Sequence, residues 1–273
     1  ALTEKIKTEV EIPQHRSIYQ IGETFGSREL IASYIGSGLL NAQFDFELYF
    51  SVRPVFALDA VSFTNASNSL RETFAYFGYH HLMGNITGNQ DMARFISYAS
   101  GDLKFDENDK EAGWQRDIEV TDTIGYARLK MLQAFNMTIP GIPIIYYGDE
   151  IGMPGANDPD NRRMMRFEKL SPQELSVRNT VSRLTHIRSE HMALLYGDIE
   201  ILSATDDILV YRRTYFSDVV YVFFNKSRSK NVIQIPASWH LENGNAQFGA
   251  AYDKAKAAIT LGPVSFEVIT IDK

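Results

Sequence analysis

Three short stretches constrain this chain most. Ile18-Tyr-Gln-Ile-Gly-Glu-Thr-Phe25 reads as a short buried strand that stops at the carboxylate Glu23. His81-Leu-Met-Gly-Asn-Ile-Thr-Gly-Asn-Gln-Asp91 repeats the pattern and stops at Asp91. Ile142-Pro-Ile-Ile-Tyr-Tyr-Gly-Asp-Glu150 does so a third time. Helical segments lie between them. Strands that alternate with helices pair in parallel, because a parallel neighbour needs a crossover. Strands that each deliver polar groups at their carboxyl ends build the rim of a (β/α) barrel.

The intervening segments fit that plan. Residues 1–11 carry Leu2, Ile6 and Val10 at a spacing of four, the stripe of an amphipathic helix that Pro13 is expected to end. Arg28 to Tyr34 reads as helix, stopped by Gly36-Ser-Gly38. Ala42 to Phe50 opens with strand-like alternation, and Pro54 is expected to interrupt the segment after it. Residues 67–79 read as a helix capped by Ser67 or Asn68, with Leu70, Phe74 and Phe77 on its buried face. Another helix is predicted from Asp122 to Met137 with Thr121 as cap. Ser171-Pro-Gln-Glu174 has the form of a capping box with Pro at the first helical position. It starts a helix whose apolar face is Val177, Val181, Leu184 and Ile187.

From Tyr196 the period changes from helical to alternating. Asp207–Tyr215, Val219–Phe224, Asn231–Ile235 and Val264–Ile271 read as short strands joined by turns. The fold class is therefore α/β over residues 1–195, followed by a small antiparallel β-sandwich over 196–273.

Composition narrows the chemistry. The formal net charge is −7 with no basic run, which argues against nucleic acid or an anionic membrane as partner. There is no cysteine, so disulfides, thiolate metal sites and a cysteine nucleophile are excluded. No apolar run approaches the roughly 20 residues of a membrane-spanning helix, so a soluble chain is expected. The N-terminus has neither an initiator Met nor a signal-peptide core, and the chain is expected to start inside a longer protein. Its cellular address stays open between periplasm, exterior and cytoplasm. The acidic stretch from Gly101 to Glu119 reads as a solvated loop. It could hold a structural Ca²⁺, but its spacing is not that of an EF-hand, and no cofactor is expected.

Taken together, these residues resemble the C-terminal part of an α-amylase-family glycoside hydrolase (family 13), closest to the cyclomaltodextrinase and neopullulanase branch. Ile21-Gly-Glu-Thr-Phe25 is similar to the family's fifth-strand segment, and Gly88-Asn-Gln-Asp91 to its seventh. Gly141-Ile-Pro-Ile-Ile-Tyr-Tyr-Gly-Asp-Glu-Ile-Gly152 closely resembles the eighth. Asn157-Asp-Pro-Asp-Asn-Arg-Arg163 looks like a loop of the cyclodextrin-hydrolysing branch. The resemblance implies strands five to eight of a (β/α)8 barrel plus the C-terminal β domain.

It also implies a site for α-glucan oligosaccharides of the maltodextrin, cyclodextrin or pullulan type. Retaining cleavage of a glycosidic bond uses an acid/base carboxyl and a nucleophilic carboxylate about 5–5.5 Å apart. By resemblance Glu23 is the general acid/base and Asp91 the transition-state stabiliser. Phe25, Asn89, Gln90, Arg94, Tyr147 and Arg162 are expected to bind substrate, with Arg94 placed to orient a carboxylate. Tyr146 and Glu150 read as supporting residues. Three positions depart from the family pattern: Gln90 stands for the usual His, Phe25 for Trp and Met164 for Pro. The family's fourth-strand segment Gly-Phe-Arg-x-Asp, which carries the nucleophile, does not occur. The chain alone is therefore expected to be catalytically incomplete, and its open strand edges to pair with the missing half-barrel or with a second copy. The alternatives are a non-catalytic binding or scaffold protein and a transglycosidase or isomerase on the same two residues.

Overall fold

The computed structural model describes residues 2–36, 38–78 and 82–271. Ala1, Tyr79 and His81, expected in the first helix, at a helix end and at a strand start, lie outside them. The described chain opens with a helical arm made of α1 (Leu2–Ile6), a π-type segment at Lys7–Glu11 and α2 (Ile12–Gln14). None of its residues is buried, so the predicted stripe does not dock on a core. Pro13 does not end the arm: it sits at the start of α2, where no N–H is required, and the left-handed His15 closes it.

Four short strands then alternate with helices. They are β1 (Ile21–Gly22), α3 (Arg28–Ala32), β2 (Ala42–Gln43), α4 (Phe46–Ala57), α5 (Phe63–Phe77) and β3 (Gly84–Ile86), then α6 (Phe95–Ala99), α7 (Asp109–Gln115), α8 (Ile124–Thr138) and β4 (Ile142–Ile144). β1 pairs parallel with β2 and β3 with β4, and a parallel bridge from Phe44 to Gly84 joins the two pairs. The four strands thus run side by side in chain order, as consecutive β/α units of a barrel do. Gly84 lies at the centre of their inner layer. A Cβ there would come within 2.5 Å of Ile21 Cδ1, 2.7 Å of Phe44 Cδ1 and 3.0 Å of Ile144 Cδ1, so side chains from β1, from the residue that follows β2 and from β4 converge on a residue that must have none.

Several predicted boundaries move, each for a local reason. The alternation at Ala42–Phe50 yields only a two-residue strand, because Asp45 caps a helix: its Oδ1 accepts from Leu48 N at 3.0 Å and its Oδ2 from the Thr73 hydroxyl at 2.7 Å. Burial raises the Asp45 carboxyl above its ordinary range. α4 then runs through Pro54, held by buried Phe46, Tyr49, Val52 and Phe56. α5 starts at the Ser62 cap, earlier than predicted. The stretch from Gly101 to Glu119 is not all loop, since Asn108 caps α7. Thr121 caps nothing: its hydroxyl donates to Ser100 O at 2.9 Å, and Asp122 accepts from Ile124 N at 2.9 Å instead.

After β4 come short 3₁₀ turns, α9 (Pro172–Glu190) and α10 (Met192–Tyr196). α9 has the full capping box: Ser171 Oγ accepts from Glu174 N, and Glu174 Oε2 accepts from Ser171 N at 2.7 Å. Its predicted apolar face is buried in full. Two buried arginines fix the junction behind β4. Arg188 donates to Met137 O at 2.7 Å and Gly141 O at 2.6 Å; Arg213 donates to Thr138 O and, at 2.8 Å, to Gly197 O. Cations suit the carbonyl end of α8. Burial lowers both, Arg188 to about 10 and Arg213 to about 9.

The rest is all β: β5 (Asp198–Ala204), β6 (Ile208–Tyr215), β7 (Asp218–Asn225), β8 (Asn231–Gln234), β9 (Gly244–Ala246), β10 (Ala251–Asp253), β11 (Ala258–Leu261) and β12 (Ser265–Ile271). An antiparallel sheet ordered β5-β6-β7-β12-β9 packs on a smaller sheet ordered β10-β11-β8. Both faces of the larger sheet are buried. Val210, Tyr221, Phe223 and Ile269 meet Ile259 and Leu261 of the smaller sheet. Their neighbours Leu209, Tyr211, Val222, Phe224 and Val268 share one core with α4, α5, α8 and α9. This period of two explains why β7 reads as an unbroken apolar run.

Candidate active site

The predicted residues gather where the parallel strands end. Glu23 directly follows β1 and is exposed. Asn89, at the turn after β3, donates from Nδ2 to Glu23 Oε1 at 3.3 Å, while its Oδ1 accepts from Asp91 N at 2.9 Å. One buried amide thus bridges the two carboxylate-bearing loops. Both oxygens of Asp91 are engaged: Gln90 Nε2 donates to Oδ2 at 2.8 Å, and Arg162 Nη2 to Oδ1 at 3.3 Å. Arg162 also donates to Gln90 O at 3.1 Å and pairs with Asp158 at 3.0 Å. Phe25 lies on Phe46 with ring centroids 4.0 Å apart and is 51% exposed, so one ring face packs on protein and the other side of the residue is open to a ligand. Tyr147 is 38% exposed, with its hydroxyl donating to Arg163 O at 3.0 Å.

Arg94 is the residue that the structure reassigns. It was expected at the substrate; it is 1% exposed and lies beneath the site. Its Nη1 donates to Asp149 Oδ1 at 2.8 Å and Tyr147 O at 2.6 Å, its Nε to Asn161 O at 2.9 Å, and its guanidinium lies 4.0 Å from the Tyr146 ring centroid. The apolar neighbourhood of Ala93 and Phe95 pulls the intervening arginine inward, where only paired charges persist. It does orient a carboxylate, but that carboxylate is Asp149. Burial raises Asp149 to about 6, and Arg94 and the Thr87 hydroxyl act against that rise.

Asn161 was not singled out from the sequence, yet it organises the site. It is fully buried, and its Nδ2 donates to Gln90 O and Met92 O, both at 2.8 Å, and to Asn89 O at 3.4 Å. The 157–163 loop is therefore clipped onto the turn that carries Asp91. The signal in the sequence was weak: an Asn between two charged residues in a polar run reads as solvated.

Three carboxylates of the acidic stretch are held by protein donors. Asp102 Oδ2 accepts from Glu119 N at 2.7 Å, Glu107 pairs with Arg116 at 2.8 Å, and Asp109 accepts from the Tyr98 hydroxyl at 2.7 Å.

In class, the chain is a partial parallel (β/α) barrel with carboxylates beyond its strand ends, backed by a two-sheet β module. The family model for the α-amylase catalytic domain matches residues 1–191, and the chain belongs to the α-amylase family. A cyclomaltodextrinase of Thermoanaerobacter pseudethanolicus is 33% identical over 154 residues, 56% of this chain and 23% of the relative. A cyclomaltodextrin glucanotransferase of Geobacillus stearothermophilus is 28% identical over 230 residues, 81% of this chain and 28% of the relative. In fold, the chain is similar to the α-amylase of Geobacillus thermoleovorans solved with acarbose. The TM-score is 0.78 at 22% identity, covering 99% of this chain and 57% of that one. The chain thus spans 23% and 28% of the length of these two curated relatives and just over half of the solved chain.

Proposed function

We propose that this chain supplies the acid/base and stabiliser side of a retaining α-glucan-cleaving site, with Glu23 as acid/base and Asp91 as stabiliser. The observation that carries the reading is the Asn89 bridge, 3.3 Å from Glu23 Oε1 and 2.9 Å from Asp91 N, which holds both carboxylate loops on one open rim. Phe25, Gln90, Tyr147 and Arg162 surround them with the stacking faces and donors that a polyhydroxyl ligand uses. Arg94 acts from below, by holding Asp149 and the Tyr147 carbonyl in place. The nucleophilic carboxylate that double displacement needs comes from further β/α units that close the ring. β1 and β4 each have a strand partner on one side only among the described residues. Those free edges are where the completing units, or a second copy, would add.

Calorimetric titration with maltoheptaose tests the reading. Millimolar or tighter binding, weakened by Asp91→Asn and by Phe25→Ala, is expected. Binding that ignores both substitutions would show that the sugar sits elsewhere.

A further inference from the structure

A second groove lies away from the rim and shares no residue with it. It runs between the outer face of α9 and the loop after β9, with a volume of about 780 Å³. Thr180 and Phe248 also line a recess of about 220 Å³ that continues it towards α8 and β12. Ser176, Asn179, Thr180 and Arg183 line the helical wall. They fall at i, i+3, i+4 and i+7, one face of the helix, beside the buried stripe of Val177, Val181 and Leu184.

The charge here is unusual for so acidic a chain. Lys130 opens on the recess and Arg183 on the groove, and neither has an acidic partner among the described residues. Among the described residues no carboxylate lines either space. Lys130 Nζ donates to Ser176 Oγ at 3.3 Å, and burial alone lowers its ammonium, with no carboxylate opposing it. The side chains of Asn179 and Thr180 have no hydrogen-bond partner among the described residues.

The facing wall is built firmly. The buried Glu267 carboxylate accepts from Gln247 N at 2.7 Å, Phe248 N at 2.6 Å and Ala250 N at 2.7 Å, so the loop is wrapped around it. Arg183 is fixed in turn, 5.3 Å from the Phe248 ring centroid and 3.3 Å from Gln247 Oε1. From Ser176 to Arg183 the helix rises roughly 10 Å, too long a span for a bare inorganic anion to fill.

We propose that this groove binds a phosphate monoester of a sugar. Lys130 with the Ser176 and Thr180 hydroxyls takes the phosphate. Asn179, Gln247 and the guanidinium of Arg183 meet the sugar hydroxyls. This inference stands independently of the roles of Glu23 and Asp91.

The test is calorimetric titration of the whole chain with glucose 6-phosphate, inorganic phosphate and maltose. Glucose 6-phosphate is expected to bind at millimolar concentration or below, more tightly than either of the others. Lys130→Met is expected to weaken it by at least about tenfold, the loss of a charge-assisted contact. Arg183→Gln, on an exposed helix face where folding is not at stake, is expected to weaken the ester more than inorganic phosphate. No heat with the ester, equal affinity for maltose or inorganic phosphate, or affinity unchanged in both variants would each overturn the proposal.

Discussion

Replacing Asn161 by Ala isolates the clip that holds the Asp91 loop. The side chain contributes two short hydrogen bonds, to Gln90 O and Met92 O at 2.8 Å, and a longer one to Asn89 O at 3.4 Å. The bonds to Met92 O and Asn89 O are buried and the one to Gln90 O is partly buried, so water does not freely replace the donor at Met92 O. A buried carbonyl left without a partner costs about 1–3 kcal/mol. Met92 O is such a group, whereas Gln90 O keeps Arg162 Nε at 3.1 Å and loses only an ordinary hydrogen bond of about 0.5–1.5 kcal/mol, so the two set a loss of roughly 1.5–4.5 kcal/mol. Removing Asn161 Oδ1, itself buried without a partner, returns part of that. We therefore expect a loss of about 1–4 kcal/mol in unfolding free energy, read from urea denaturation followed by circular dichroism. The Asp91 amide should also lose hydrogen-exchange protection before the global transition. Asn161→Asp, which removes the donor and turns an acceptor towards three carbonyl oxygens, should be worse than Ala. A loss below about 0.5 kcal/mol for Asn161→Ala, the scale of an ordinary surface change, would refute the reasoning.

Other perturbations test the same geometry. Arg94→Met leaves Asp149 buried without its cation and should cost about 3–5 kcal/mol at neutral pH; Arg94→Met with Asp149→Asn should recover part of that, as a denaturation cycle would show. Asp149 is raised from 3.8 to about 6, so between those values the folded chain binds the extra proton. The contribution of this group to stability is therefore full below pH 3.8 and falls as pH rises towards 6, a slope that Asp149→Asn should remove from a pH series of unfolding curves. Gly84→Ala pushes a methyl into Ile21, Phe44 and Ile144 and should cost about 1–3 kcal/mol, with the melting temperature as readout.

How much of this was legible in the sequence depended on how local each cause was. The capping box at Ser171 and Glu174 is a four-residue device, and α9 starts where it says. The buried stripe Val177, Val181, Leu184 and Ile187 needs only a period. The Asp45 cap was hidden, because Phe44-Asp45-Phe46 alternates like a strand until Thr73 arrives from another helix to hold the carboxylate. Arg94 looked like a substrate ligand because its real partner, Asp149, lies 55 residues further on. Asn161 likewise acts on carbonyls about 70 residues away, and no spacing rule reaches that far. In the β module, β6, β7 and β12 announce themselves by their apolar residues. β9, Gly244-Asn-Ala246, carries no such pattern and owes its place to pairing with β12. β5 alternates too, with Ile199 and Ile201 flanking Glu200, but it is not among the strands that the sequence reading names.

Glu23 and Asp91 are proposed as one side of a glycosidase site whose nucleophile lies outside these residues. Reducing-sugar release from maltoheptaose and from a cyclodextrin by residues 1–273, set beside Glu23→Gln, tests this assignment most directly. No release above the Glu23→Gln background is expected from the chain alone. Steady release that Glu23→Gln abolishes would contradict it, because a nucleophile would then be present within these residues.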